Sequence, residues 1–276
     1  MSSLVHYSVE GAVARIVLDS PDNRNALSTA LVHQLRQGLS DAAEEPGVRA
    51  VVLGHTGTTF CAGADLAQAA GRDPGDLAVD RAREMIQVLR AILELPVPVI
   101  AAVDGHVRAG GLGLIGACDL VVAGPASTFA LTEARIGLAP SIISLTLLPK
   151  MNPRAAGRYF VTGEKFDAAE AAAIGLITVA ADDVASAVAA LTTNIAKGSP
   201  QGLAASKALT TAAILAGFDR HAEELTKQSA ALFVSDEARE GMLAFLEKRA
   251  PRWPPSSPPN SPPNSPPNSP PNSTQS

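Results

Sequence analysis

Pro98-Val99-Ile100-Ala101-Ala102-Val103-Asp104-Gly105-His106-Val107-Arg108-Ala109-Gly110-Gly111-Leu112-Gly113-Leu114 is the stretch on which the fold turns. Val99 to Val103 is a continuous apolar run closed off by Pro96 and Pro98, too short for a core helix, and reads as a strand buried on both faces. It gives way to a turn and then to small residues that open a helix, where backbone N–H groups have no intrahelical partner. A second segment has the same grammar. The strand Val48 to Leu53 leads into Thr58-Thr59-Phe60-Cys61-Ala62-Gly63-Ala64-Asp65-Leu66. Two N–H groups from separate loops can converge on one carbonyl oxygen, which is how an acyl oxyanion is stabilised.

Outward from these loops, strand, loop and helix alternate through Val122, which predicts an α/β architecture with a mostly parallel sheet. Upstream, Val5, Tyr7 and Val9 alternate, Glu10-Gly11 turns, and Val13 to Leu18 returns as a hairpin. Ser28 caps a helix carrying Leu31, Val32, Leu35 and Leu39 at helical spacing. Gly71 to Asp76 reads as a polar loop before an amphipathic helix through Met85, Ile86, Leu89, Ile92 and Leu93. After Pro153 the pattern is helical: a capped start at Asp167, then Asp182 to Lys197, Pro200 to Ala216, Asp219 to Phe233 and Asp236 to Lys248. The expected organisation is a core over residues 1–200, a helical C-terminal part over 201–253, and a Pro/Asn/Ser-rich tail over 254–276. Four Pro-Pro-Asn-Ser units in the tail bury no core and favour polyproline II; the readings are a disordered extension or a ligand for a proline-binding domain.

Composition narrows the partners. The 276 residues carry a net charge of −5 and no long Lys/Arg run, which argues against a nucleic-acid or membrane-surface binder acting through a broad basic face. No apolar run approaches the roughly 18 residues of a bilayer span, and the first residues lack a basic-then-apolar leader, so the expectation is a soluble, cytoplasmic protein. Two cysteines make no disulfide framework, and no metal-ligating cluster stands out. Cys61, inside a glycine loop, is weighed as a nucleophile, but no neighbouring His or basic residue would lower its pKa. His106 reads as a polar loop residue rather than a base.

A third segment, Phe129-Ala130-Leu131-Thr132-Glu133-Ala134-Arg135-Ile136-Gly137-Leu138-Ala139-Pro140, sets one carboxylate among apolar residues. Desolvation there raises a carboxyl pKa toward general acid/base values. The simpler reading of Glu133 alone is an ion pair with Arg135, which shares its face if the segment is extended.

Taken in order, Asn25-Ala26-Leu27, Phe60-Cys61-Ala62-Gly63-Ala64-Asp65-Leu66, Pro98 to Gly105, Ala109-Gly110-Gly111, Cys118-Asp119, Phe129 to Glu133 and the closing Phe245-Leu246-Glu247-Lys248-Arg249 resemble the crotonase superfamily of enoyl-CoA hydratases and isomerases. The resemblance covers residues 4–253. It implies a spiral of ββα units (the ClpP-like crotonase fold) with a C-terminal helical trimerisation region, assembling as a homotrimer or a dimer of trimers. It implies an acyl-CoA thioester substrate and no separate cofactor, since coenzyme A is part of the substrate. The implied catalytic set is Glu133 with the backbone N–H groups of Ala64 and Gly110 as oxyanion hole. Arg24, Ala26, Ala62, Asp65, Leu66, Gly111 and Ser141 fall in the implied substrate and CoA path.

One position departs from the pattern. The well-known hydratases carry a first glutamate three residues after the oxyanion glycine, where this chain has Gly113. Glu133 then works alone or with help from the substrate. Ala139 to Ser144 and Arg158 to Asp167 look closest to bacterial methylglutaconyl-CoA hydratase-like members, in which case the acyl group is branched or bears a second carboxylate. Arg108 is the candidate to bind it, against pairing with Asp104 or a neighbouring subunit. The readings left open are a hydratase, a 3-enoyl to 2-enoyl isomerase using Glu133 as sole proton shuttle, and a non-catalytic acyl-CoA-binding protein.

Overall fold

A computed structural model describes residues 3–65 and 73–253; Leu66 and the tail over 254–276 lie outside the described residues. β1 (Val5–Glu10) and β2 (Val13–Leu18) form the expected hairpin, turning at Gly11, whose φ of +60° suits glycine. α1 (Thr29–Glu44) begins where the Ser28 side chain accepts the Leu31 N–H, and it buries Leu31, Val32, Leu35 and Leu39. Then come β3 (Ala50–His55), β4 (Thr59–Cys61), α2 (Pro74–Glu94), β5 (Val99–Val103), β6 (His106–Arg108), α3 (Gly110–Ala117), β7 (Leu120–Ala123) and β8 (Thr128–Ala130). The rest is a 3-10 turn at Glu133–Ile136, α4 (Ser144–Leu147), α5 (Pro153–Thr162), β9 (Phe166–Asp167), α6 (Ala168–Ala173), β10 (Val179–Ala180), α7 (Val184–Ile195), α8 (Pro200–Phe233) and α9 (Asp236–Leu246).

From β3 to β8 the strands alternate between two sheets. The larger has the order β1-β2-β3-β5-β7-β10 and is parallel beyond the hairpin; the smaller has the order β4-β6-β8-β9, with β4, β6 and β8 parallel. Successive units β3-β4-α2 and β5-β6-α3 each give one strand to either sheet, the ββα repeat that the resemblance implies. All eight residues of α3 are buried, so this glycine-rich helix runs through the core rather than along its surface.

The structure departs from the sequence reading in three places. α8 is one helix of 34 residues where two segments parted near Gly217 are predicted. Gly217 lies on an open face, and a single glycine costs about 1 kcal/mol against alanine in a helix, less than the packing of Ile214 and Phe218 on either side returns. α2 starts at Pro74, inside the predicted loop, because Asp73 caps it by accepting from Gly75 and Asp76. β3 begins two residues later than expected, at Ala50.

Buried Lys207 pins α8 to the core: its Nζ donates to Asp119 at 2.7 Å, the Ile92 carbonyl at 2.8 Å and the Val97 carbonyl at 3.1 Å. Asp119 Oδ2 also accepts the Val99 N–H at 2.7 Å, tying the end of α3 to the start of β5. Among the described residues, no helix is long and apolar enough to cross a membrane, and no group of three His, Cys, Asp or Glu is placed to hold a metal ion.

Candidate active site

β4, β6 and β8 are neighbouring parallel strands, so they release their chains at one edge. Beyond that edge stand Ala64, three residues after β4, Gly110, two after β6, and Glu133, three after β8. The carboxyl ends of parallel strands are where open α/β sheets bind ligands. One sheet edge thus collects all three candidates.

In the first loop, hydrogen bonding singles out one donor. Ala62 N–H goes to the Arg24 carbonyl at 3.1 Å, Gly63 N–H to Cys61 Sγ at 3.4 Å, and Asp65 N–H to the Leu27 carbonyl at 3.3 Å. Leu27 N–H reaches the Gly63 carbonyl at 2.7 Å, making a parallel bridge that turns the Ala64 N–H away from Leu27. Among the described residues the Ala64 N–H has no partner. In the second loop, Ala109 N–H is held by the Ala130 carbonyl at 3.4 Å, while Gly110 heads α3 with its N–H unpaired among the described residues.

The loops touch through glycine. A Cβ at Gly63 would stand 2.8 Å from Ala109 Cβ and 3.6 Å from Gly110 N, and one at Gly110 would meet Met85 Cε at 2.7 Å. Gly111 is pressed on Cys61, where a Cβ would lie 2.8 Å from Cys61 Cβ. Ala109, between them, has φ +46° and ψ −121°, a conformation L-residues avoid, and it aims Gly110 at the sheet edge.

Glu133 is 9% exposed, and among the described residues its Oε2 has no hydrogen-bond partner. Burial pushes its pKa up to about 7, against the opposing bond from its own backbone N–H. The predicted ion pair with Arg135 is absent: the segment is a 3-10 turn, not a strand, and Arg135 Nε donates to the Thr162 carbonyl at 3.0 Å instead. α9 braces this turn from outside, for a Cβ at Gly241 would lie 2.5 Å from the Ile136 carbonyl carbon.

Gly113 is more than a missing carboxylate. A Cβ there would overlap Ile143 Cγ2 and sit 3.0 Å from Ile143 Cβ and 3.6 Å from Leu89 Cδ2. An apolar plug fills the space, which the sequence did not disclose, because Ile143 arrives from thirty residues away.

The other candidates fall as follows. Arg24 and Asn25 are both left-handed, at φ +59° and +53°, and the fully buried Asn25 rivets them to the first glycine loop. Its Nδ2 donates to the Thr59 carbonyl at 2.8 Å and its Oδ1 accepts the Ser20 N–H at 2.7 Å. Ala26 is buried beside it. Asp65 has its carbonyl held by Arg81 Nη2 at 2.6 Å, a contact the sequence reading missed. Ser141 is buried with its Oγ unpartnered. Arg108 is engaged elsewhere: its guanidinium donates to the Val107 carbonyl and to the carbonyl and hydroxyl of Thr128, and it pairs with no carboxylate among the described residues. His106 is exposed beside it, with Nδ1 on the Thr128 hydroxyl. Cys61 is buried and its thiol is pushed up to about 12 by desolvation, which removes it as a nucleophile at neutral pH.

Known proteins resemble this chain in sequence and fold. The model of the enoyl-CoA hydratase/isomerase family matches residues 8–256. A crystal structure of an enoyl-CoA hydratase from Mycobacterium avium is 66% identical, with a TM-score of 0.86 over 92% of this chain and 100% of that one. Carnitinyl-CoA dehydratase of Proteus mirabilis is 31% identical over 261 residues, 92% of this chain and 99% of its own. A methylmalonyl-CoA decarboxylase solved with 2-nitronate-propionyl-CoA is 25% identical, with a TM-score of 0.79 over 93% of this chain and 100% of its own.

Proposed function

The chain belongs to the enoyl-CoA hydratase/isomerase family, and from that premise we propose that it adds water reversibly to a 2-enoyl-CoA thioester. The observation that carries this reading is the meeting, at one sheet edge, of two unpaired N–H groups with a buried carboxyl near neutral pKa. Ala64 and Gly110 N–H receive the thioester oxygen. Glu133 takes a proton from water as the water oxygen bonds to C3. The double-bond electron pair moves to the thioester oxygen as an enolate. The enolate collapses by taking the proton from Glu133 at C2. One O–H bond breaks, one C–O and one C–H bond form, and Glu133 returns to its starting state. Losing one oxyanion donor in such a site typically costs about 3 kcal/mol of transition-state stabilisation.

The substrate is the only carrier of coenzyme A, with no other cofactor in the scheme. Gly111, Arg24, Ala26, Ala62, Asp65 and Leu66 serve the CoA path, and Ser141 faces the acyl group. A homotrimer or pair of trimers belongs to the same reading, with the exposed Leu209, Phe245 and Leu246 as apolar contact surface. A branched or carboxylated acyl group stays within it, with Arg108, which also donates to Thr128, as the candidate for a second carboxylate.

One observation favours a second reading. The space beside Gly113 is filled by Ile143, so a lone Glu133 suits 3-enoyl to 2-enoyl isomerisation, taking a proton from C2 and returning it at C4. The test is loss of ultraviolet absorbance of a conjugated 2-enoyl thioester in oxygen-18 water, with and without Glu133→Gln. Label in the product with none in the variant supports hydration. Unlabelled product from a 3-enoyl thioester supports isomerisation. Tight thioester binding without turnover across linear, branched and carboxylated esters refutes both.

A further inference from the structure

Helix α2 presents Arg81, Met85 and Leu89 at four-residue spacing, one stripe of its surface. Met85 reaches the head of α3 at Gly110, and Leu89 reaches Gly113 one turn farther along. Arg81 is the next step of the same stripe in the other direction, and there it meets the first loop. Its Nη2 donates to the Asp65 carbonyl at 2.6 Å.

We propose that Arg81 is a positioning residue of the thioester site, holding through the Asp65 carbonyl the peptide run that presents the Ala64 N–H. This rests on the reading of Ala64 as an oxyanion donor. Gly63 and Asp65 flank Ala64 and are tied to Leu27 on one side, by the Gly63 carbonyl and the Asp65 N–H. Arg81 adds a further tie at the Asp65 carbonyl, so the residues on both sides of Ala64 are held by groups that leave its own N–H untouched. A charged donor on a carbonyl makes a short, strong bond, suited to holding a loop whose N–H must not wander.

The setting of Arg81 argues for site rather than fold. The guanidinium is half-buried, and desolvation lowers its pKa against the opposing pull of the Asp65 and Glu84 carboxylates. Among the described residues its buried Nη1 has no hydrogen-bond partner. Partial desolvation and an unpaired donor are costs to stability, which points to a role beyond holding the fold.

The test compares wild type, Arg81→Ala and Arg81→Lys by steady-state kinetics, thermal unfolding and the absorption of a bound cinnamoyl-type CoA thioester, which reddens as its carbonyl is polarised. In Arg81→Ala, kcat is expected to fall about ten- to a hundredfold with KM within about threefold, since small misplacement of a catalytic group has that effect. The reddening should shrink, the unfolding midpoint should hold or rise, and ethylguanidinium in solution should restore part of kcat. Arg81→Lys should keep both kcat and reddening near wild type. Unchanged kcat and reddening in Arg81→Ala overturn the proposal, as does a loss of kcat that follows the unfolding midpoint and ignores ethylguanidinium. If Arg81→Ala does not fold, Arg81→Lys decides, because loss of reddening in a stable lysine protein overturns the assignment. No reddening in wild type overturns the oxyanion reading itself, separately from Arg81.

Discussion

The contact between Gly113 and Ile143 makes a quantitative claim about two residues thirty positions apart. Adding one methyl in Gly113→Ala forces it into Ile143 Cγ2 and to 3.0 Å from Ile143 Cβ, and both side chains stand in the core with Leu89 behind. A branched aliphatic group packed on a helix cannot yield by bond rotation alone, so overpacking of about 1–3 kcal/mol is expected. For a domain of this size each kcal/mol lowers the melting midpoint by about 2–4 °C, so Gly113→Ala should melt roughly 3–10 °C below wild type. Ile143→Ala alone should cost about 2–5 kcal/mol by leaving a cavity. In the double variant the new methyl enters the vacated volume, so the pair should cost no more than Ile143→Ala alone. The coupling would then cancel most of the Gly113→Ala penalty, within the roughly 0.5–3 kcal/mol range of contacting residues. Differential scanning calorimetry or urea unfolding of the four proteins measures the cycle. Additive effects, or a Gly113→Ala protein as stable as wild type, would refute the idea that Ile143 owns this space. The same cycle says why a second carboxylate cannot simply be written into position 113: Ile143 must leave first.

Three further outcomes follow from buried charge and burial. Glu133 in the folded protein holds its proton to about pH 7, well above an unfolded glutamate at about 4.3, so folding binds a proton between those values and stability falls as pH rises through that window. Glu133→Gln should match wild type in stability near pH 4 and exceed it by about 3 kcal/mol above pH 8, read by urea unfolding across pH, while wild-type turnover rises with an apparent pKa near 7. Lys207→Met leaves the half-buried Asp119 opposite a thioether and should cost about 3 kcal/mol, whereas Arg239→Ala, removing an exposed pair with Asp236, should cost under about 1 kcal/mol. Cys61 and Cys118, buried and with thiols pushed up to about 12, should resist a thiol-reactive dye in the native protein and react together on unfolding.

The local rules of the chain were readable because each is settled within a few residues. Ser28 and Asp167 cap where the sequence places caps, the Val99–Val103 run is a strand, and the turn at Gly11 falls inside its hairpin. Glu133 among apolar neighbours was readable as a group with a raised pKa for the same reason. What escaped depends on distant partners. Nothing in Ser141-Ile142-Ile143 says that Ile143 will meet Gly113, and nothing in the sequence of α2 distinguishes Arg81 from the exposed Arg83. Arg135 looked like a partner for Glu133 only on the assumption of an extended backbone. Gly217 looked like a break only while the packing of α8 along α2 was out of view.

Ribosomes release this chain in order, and the brace on the Glu133 turn is made by Gly241 of α9. β4, β6, β8 and α3 are all synthesised before that helix exists. A nascent or prematurely ended chain therefore has both glycine loops and the glutamate, yet lacks the outer wall that keeps the glutamate's turn in place. On the proposed role of Glu133, a chain ended before α9 is expected to lose turnover, and assaying a protein truncated ahead of Asp236 checks this.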